Sequence, residues 1–522
     1  MLDLALTPYA AADWSWTGTA YATSDRSGHV TPFTHPMTEQ CAATDGDRTL
    51  ITVRERLADQ APPEPAVQAL APDAYDRARA AALAHPADHV TVETRPGCPV
   101  TVTAGAARTT PLYLAADGGT LRGSWDMARL KEHAGGLSPR ETARLLVYQP
   151  RYGTETMFTG IRRLTERATA TFGGALHIRY PDPALHAAPR NITPGADVLA
   201  ALTATIDAAL DLRSLDPATT VFHLTGGLDS GTIATRAACR WPGQVTTAAL
   251  LVTGPGRPQQ DRRRAQILAS LPFSGTDLTV DCADVPPLNR DCPRVRGALI
   301  SPYEEPLFLP FAKLTGLARQ HGGRVLVTGL GGDEMVALSP EESDIVAGMV
   351  ARITGRLPWL GPDARAALPY TDDAVAPPAQ VNAITLLSLE TSAPPLLREG
   401  IWPVHPFTHP AMIRLGEQLP VDWREFKNLQ RRQMKSLGLS HDVCNPVERE
   451  SFAWLVEDSL KTYGVPILKR MLDRGSPLFD GLVDPDGLKA TIAEIGRKPW
   501  DEEFHAKLLQ VVDMHLAAVA YL

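Results

Sequence analysis

No apolar run in this 522-residue chain approaches the roughly 18 residues needed to span a bilayer. The first residues also lack a basic segment followed by an apolar one. Neither a membrane partner nor export is expected. Cysteine is scarce: Cys41, Cys98, Cys239, Cys282, Cys292 and Cys444 are scattered without a CxxC pair. That excludes a disulfide framework and a structural zinc site, and it points to a reducing cytoplasm. Positive charge is in deficit, with 51 Lys and Arg against 59 Asp and Glu and a net charge of −8. No long-range attraction to nucleic acid follows from that balance. Internal repeats and low-complexity tracts are missing too. The length suits two or three domains with a large core.

Texture divides what is present. Residues 1–190 carry short alternating runs (HVTVETR, PVTVTAG, TPLYLAADGGTLRGS) broken by Gly and Pro, the pattern of half-buried antiparallel strands. Residues 184–195 show no apolar period and read as a linker. From 195 to 345, helix-like runs alternate with TVFHL, TTAALLV and RVLVTG, which implies a parallel sheet with right-handed crossovers. Beyond 375 the pattern is mostly helical. The Pro- and Ala-rich stretch 358–378 reads as a mobile loop. The expected domains are therefore 1–190 and 191–522.

Two loops carry the chemistry. VFHLTGGLDSGTIA (221–234) runs from a strand through glycines into a helix, and VLVTGLGGDE (325–334) ends a second strand in glycines and an acidic pair. Gly226 and Gly227 let the backbone approach an anion. Amides at the following helix start form a seat for pyrophosphate, with Thr225 and Ser230 adding hydroxyls. The lysine of a Walker A loop is missing, and so is GxGxxG. An aspartate inside a phosphate loop calls for a metal between the charges, which makes Asp229 a Mg²⁺ ligand; its plainer role is a helix cap.

LTGGLDSGTIA resembles the SGGxDS pyrophosphate loop of the asparagine synthetase superfamily, with Thr225 in place of the first serine. Gly329, Gly331, Asp333 and Glu334 resemble the family's GxGxDE signature. The resemblance implies that Leu224, Thr225, Gly226, Gly227, Asp229, Ser230, Gly329 and Gly331 bind ATP, and that Asp229 and Asp333 bind Mg²⁺. Leu250 to Val252 would be the strand on which adenine packs. The family's acidic pair beyond it appears as Gln260-Asp261. Upstream, TPLYLAADGGTLRGSWDMARL is similar to the end of the family's glutaminase-like domain. Thr156, Phe158, Gly160, Ile161 and Leu164 match its connector. Downstream, HPFTHPAMIRLGEQLP with KNLQR, which contains Lys427, is similar to a segment of the synthetase domain. The implied fold is α/β: an N-terminal α+β Ntn-type glutaminase-like sandwich, then a parallel-sheet PP-loop ATP pyrophosphatase domain with a helical C-terminal lobe.

Three departures shape the expected reaction. Glutamine-dependent members begin with a nucleophilic cysteine, whereas this chain begins Met1-Leu2-Asp3 and its first cysteine is the interior Cys41. Glutamine hydrolysis is not expected, so the amine comes from the substrate or from solution. Where the family has R-x-K-x-x-F, Phe452 aligns Val447 and Arg449 with the two basic positions. Arg449 can stabilise phosphate charge, since guanidinium stays protonated and binds oxyanions bidentately, but it cannot shuttle a proton. Its plainer role is a surface charge paired with Glu448 or Glu450. The third departure is Gln260. Glu305, in SPYEEPLFLP, either orients a substrate amine or favours a helix dipole. His223 reads as a satisfied core histidine, and His405 and His409 do not read as a zinc site.

Members without the leading cysteine include lasso-peptide cyclases and β-lactam synthetases. The expectation is an AMP-forming ATP-dependent ligase that adenylates a carboxylate and closes an intramolecular amide, with Lys427, Arg449 and Glu305 as catalytic residues. The C-terminal lobe, including DGLVDPDGLKATI, favours macrolactam formation in a lasso peptide. That reading implies a precursor peptide, a leader-binding protein and a leader protease. The alternatives are a β-lactam synthetase-like enzyme, an ammonia-dependent asparagine synthetase-like enzyme, and a non-catalytic binding homologue.

Overall fold

Alternation of side chains decides the N-terminal architecture. Strand Leu2–Leu6 buries Leu2, Leu4 and Leu6, and strand Val100–Ala104 buries Val100, Val102 and Ala104. One residue in two faces the core, as a pleated strand requires. The computed structural model describes residues 1–10, 13–58, 60–186, 190–339, 341–343, 357–448 and 450–522. Among these residues, two seven-stranded sheets form the N-terminal part. The first runs Ile161–Arg163, Tyr113–Ala116, Leu121–Ser124, Leu2–Leu6, Gly28–Pro32, Tyr21–Thr23, Trp14–Trp16, antiparallel throughout. The second runs Leu176–Arg179, Thr169–Phe172, Val100–Ala104, His89–Thr94, Thr49–Glu55, Thr38–Thr44, Val67–Ala69, with only the last pair parallel. Leu4 and Val30 of one sheet share an apolar cluster with Val53, Val90 and Val102 of the other. The outer face of the second sheet is covered by helix Pro72–Leu83, where Tyr75 and Ala82 meet Ala43 and Leu50.

The remaining sheet is parallel, in the order Asp277–Asp281, Thr246–Leu251, Thr220–His223, Val325–Val327, Trp402–Val404. Helices Leu228–Arg240, Arg257–Ser270, Phe308–Gln320 and Ala383–Arg398 fall between successive strands. The first strand in sequence lies in the middle, and the chain winds outward from it in both directions. Thr220–His223 and Val325–Val327 therefore flank the point where the winding reverses, with Phe222 paired to Val327. Loops leaving two such strands diverge to opposite faces and leave a crevice at the strand ends, where ligands of open α/β sheets bind. The mixed α/β character, the parallel sheet and the C-terminal helices agree with the sequence reading. The linker stretch has no regular element among its described residues, and 187–189 lie outside them.

Helices Val465–Arg474, Pro485–Glu494 and Leu508–Tyr521 build a second apolar cluster, which also takes in Leu146 and Phe158. Here the structure departs from the expected mobile loop at 358–378. Trp359 is fully buried in this cluster, between Leu357 and Leu360. The chain after it forms helix Pro362–Ala367, packed on helix Pro139–Leu146. Leu357, Trp359 and Leu360 anchor a stretch whose proline and alanine content suggests looseness. No helix among the described residues is long and apolar enough to cross a membrane.

Candidate active site

Helix Leu228–Arg240 starts at Gly227 without a side-chain cap. Its first turn instead closes on itself. The Thr225 amide donates to Ser230 Oγ at 3.1 Å, the two hydroxyl oxygens are 2.9 Å apart, and the Gly227 amide donates to Thr225 Oγ1 at 3.2 Å. Gly226 sits at φ +93°, in the left-handed region where side chains are disfavoured. The uncapped amides and the helix dipole leave a positive end at the crevice.

The second loop is pressed against this turn. A Cβ at Gly329 would stand 2.5 Å from the Ser230 amide nitrogen, so only glycine admits the contact. Thr328 leads into the loop with its hydroxyl 2.7 Å from His405 Nδ1. Asp333 then falls in the short helix Gly332–Met335 and is exposed, while Asp229 is largely buried.

Lys427 joins the two aspartates. Its Nζ is 2.5 Å from Asp229 Oδ2 and 2.6 Å from Asp333 Oδ1. Phe426 and Lys427 have φ of +52° and +58°, a left-handed conformation that costs about 1–3 kcal/mol for such residues. Strain of that kind marks a side chain placed by its surroundings. Gln430 Nε2 donates to Asp229 Oδ1 at 3.2 Å and to the Gly332 carbonyl at 3.3 Å, while its buried Oε1 has no partner. Burial raises the Asp229 carboxyl to about 6; Lys427 opposes that rise and Asp333 adds to it. Burial alone would lower the Lys427 ammonium, but the two aspartates more than reverse it and leave it raised. The carboxylates of Asp229 and Asp333, brought together on one ammonium, offer oxygen donors suited to a hard divalent cation. Such a cation often takes only one or two protein carboxylates and completes its shell with water and phosphate. No cluster of three or more His, Cys, Asp or Glu suited to a metal occurs among the described residues.

Gln260, which sequence comparison marks as a lost carboxylate, braces the strand ends instead. Its Nε2 donates to the carbonyls of Thr225 and Leu250 at 2.8 and 3.1 Å, and its Oε1 accepts from the Val252 amide at 2.8 Å. A carboxylate there would face two carbonyl oxygens without a proton to offer. The backbone groups of Leu250 and Val252 on the expected adenine strand are thus already engaged, while the nearby Thr253 hydroxyl is buried without a partner. Asp261, beside Gln260, pairs with Arg257 at 2.9 Å.

Other expected residues fall elsewhere. Glu305 accepts from the Leu307 amide at 3.1 Å, just ahead of helix Phe308–Gln320, and contacts neither loop among the described residues. Arg449 lies outside the described residues. Of the two carboxylates named beside it, Glu450 binds Arg263 at 2.6 Å. His223 is not the satisfied core histidine expected, since its Nε2 is buried without a partner; burial lowers it to about 4 and keeps it neutral. His409 Nδ1 accepts from the Ala411 amide at 3.3 Å as a helix cap. Missed from the sequence were Gln430 and Arg263, and Glu450 was read only as a surface partner of Arg449. They carry no local pattern, and each joins the site from a distant element.

Residues 201–397 match the asparagine synthase family model. Both loops fall inside the matched segment, whereas Lys427 and Glu450 lie beyond it. The match supports an ATP-dependent, amide-forming synthetase-like enzyme. No curated protein matches the chain.

Proposed function

We propose that this protein is an AMP-forming ligase that adenylates a substrate carboxylate with ATP and closes an intramolecular amide. The observation that carries it is the pair of glycine loops at adjacent strand ends, with Asp229 and Asp333 held by one ammonium. In this reading the uncapped turn Thr225–Ser230 receives the pyrophosphate of ATP as substrate. Asp229 and Asp333 would hold Mg²⁺, whose chemistry there would be to neutralise charge on the leaving pyrophosphate. Lys427, released from the aspartates, turns toward phosphate oxygens. Positioning and electrostatics then do most of the catalysis. The carboxylate attacks the α-phosphorus, pyrophosphate leaves, and an amine of the same substrate displaces AMP. The surrounding helices exclude water that would hydrolyse the adenylate.

The N-terminal sheets, residues 1–190 with the Ntn-type architecture proposed for them, serve as a scaffold for the PP-loop synthetase domain at 191–522. The proposed substrate is a peptide that forms a lasso macrolactam in the cytoplasm, delivered with the help of a leader-binding protein and a leader protease. ATP–pyrophosphate exchange with Mg²⁺, screened over carboxylate substrates, tests the reading. Exchange with a precursor peptide supports macrolactam closure. Exchange only with a small amino acid replaces it with β-lactam- or asparagine-type chemistry. Exchange that survives loss of both Asp229 and Asp333 rejects the mechanism.

A further inference from the structure

A carboxylate stands over the turn that, in the proposed function, receives phosphate. A Cβ at Gly226 would lie 3.0 Å from Glu450 Oε1 and 3.3 Å from Glu450 Oε2, and one at Gly227 would lie 3.7 Å from Oε2. The same Oε1 accepts from Arg263 Nη1 at 2.6 Å. Arg263 belongs to helix Arg257–Ser270 and its side chain is 2% exposed. Its Nε and Nη2 are fixed by the Val443 carbonyl at 3.2 and 2.8 Å, which leaves Nη1 directed at the loop. The approach of Glu450 is built into the chain. Gln259 Oε1 accepts from the Val447 and Glu448 amides at 2.8 and 2.9 Å, and its Nε2 donates to the Glu448 carbonyl at 2.7 Å.

One oxygen thus sits between a buried guanidinium and a glycine turn at an uncapped helix start, both of which favour an anion. Carboxylate and phosphate present the same kind of oxygen to a guanidinium. The rest of the site repeats the arrangement with opposite sign, since the Lys427 ammonium lies where a cation would join Asp229 and Asp333. Each charge that a magnesium nucleotide would engage is met here by a side chain of the protein itself. Resting on the proposed function, we infer that Arg263 is a phosphate-binding residue of this site. Glu450 holds the seat of a nucleotide phosphate oxygen and must leave when the nucleotide enters. Burial pushes the Glu450 carboxyl up and the Arg263 guanidinium down, so their pairing does not fully compensate their loss of water. An incoming phosphate therefore competes with Glu450 for the Arg263 guanidinium.

Calorimetric titration of the full chain with ATP and with inorganic pyrophosphate, each with Mg²⁺, tests this without needing the acceptor substrate. Glu450→Gln keeps the shape and removes the competing charge, so both ligands should bind roughly tenfold tighter, a conservative figure for relief of like-charge juxtaposition. Arg263→Lys, which keeps the charge but loses the fork, should bind both roughly tenfold more weakly. A gain of affinity in Glu450→Gln cannot come from damage to the fold, which would weaken binding. If the unaltered protein binds ATP and either variant binds as it does, the inference fails and the proposed function stands. Absence of binding in both the unaltered protein and Glu450→Gln overturns the two together.

Discussion

Asp229 is held in a state that folding alone does not favour. Its carboxyl is raised from 3.8 to about 6 by burial, so ionising it costs stability as pH rises through that interval. Above it the full penalty is present. Asp229→Asn removes the penalty and should stabilise the ligand-free protein by on the order of 1 kcal/mol at pH 7. The gain should vanish near pH 4, where the native carboxyl is itself protonated. ATP–pyrophosphate exchange should be lost in the same variant, a trade of stability against function. Denaturant unfolding at the two pH values reads the first part, and a variant less stable than the parent at pH 7 would contradict it. The left-handed backbone at Phe426 and Lys427 is a further local cost borne where the ammonium meets both aspartates.

At the scale of elements, the crevice depends on how strand ends are tied. Gln260 on helix Arg257–Ser270 spans strands Thr220–His223 and Thr246–Leu251 through the Thr225 and Leu250 carbonyls and the Val252 amide. Gln260→Glu restores the acidic residue that the family resemblance implies. Here it would set a buried carboxylate against two carbonyl oxygens, and leaving such groups unpaired costs about 1–3 kcal/mol or more. A lower urea midpoint with weakened ATP binding is expected; equal stability would show that the brace is dispensable. The resemblance marks this position as a loss because sequence reports the residue type without its partners.

Over the whole molecule, the two N-terminal sheets and the parallel sheet do not have separate cores. Leu4, Val53 and Val102 lie in one apolar cluster with Ile206, Phe222, Val327 and Trp402. Glu55 stitches them with charge: it is fully buried, pairs with Arg213 at 2.6 Å, and accepts from Trp402 Nε1 at 2.6 Å. Burial alone would raise this carboxyl, but Arg213 and the hydrogen bonds outweigh it and hold it below 4.5. Its contribution is therefore present above pH 4.5 and lost as pH falls below that value. Glu55→Gln leaves the half-buried Arg213 without its counter-charge, which should cost about 3 kcal/mol at neutral pH. The loss should appear as one shifted unfolding transition seen alike by far-UV and near-UV dichroism. Two separated transitions would mean that the shared cluster does not couple the parts.

The sequence by itself determined the two loops, because glycine, threonine and aspartate at strand ends act through local backbone geometry and need no distant partner. It also determined the alternating strands of residues 1–190 and the helical character beyond 375, since a period of two or of 3.6 is written within a few residues. Trp359 shows the limit of composition, for its burial depends on a cluster assembled from helices far along the chain. Only the tertiary structure decided that Lys427 reaches both Asp229 and Asp333, that Gln260 is a brace, and that Glu450 and Arg263 meet over the glycine turn. Lys427 and Asp229 are 198 residues apart in the chain. An ion pair across that separation has no local signature, because its energy depends on distance and burial, which exist only once the chain has folded.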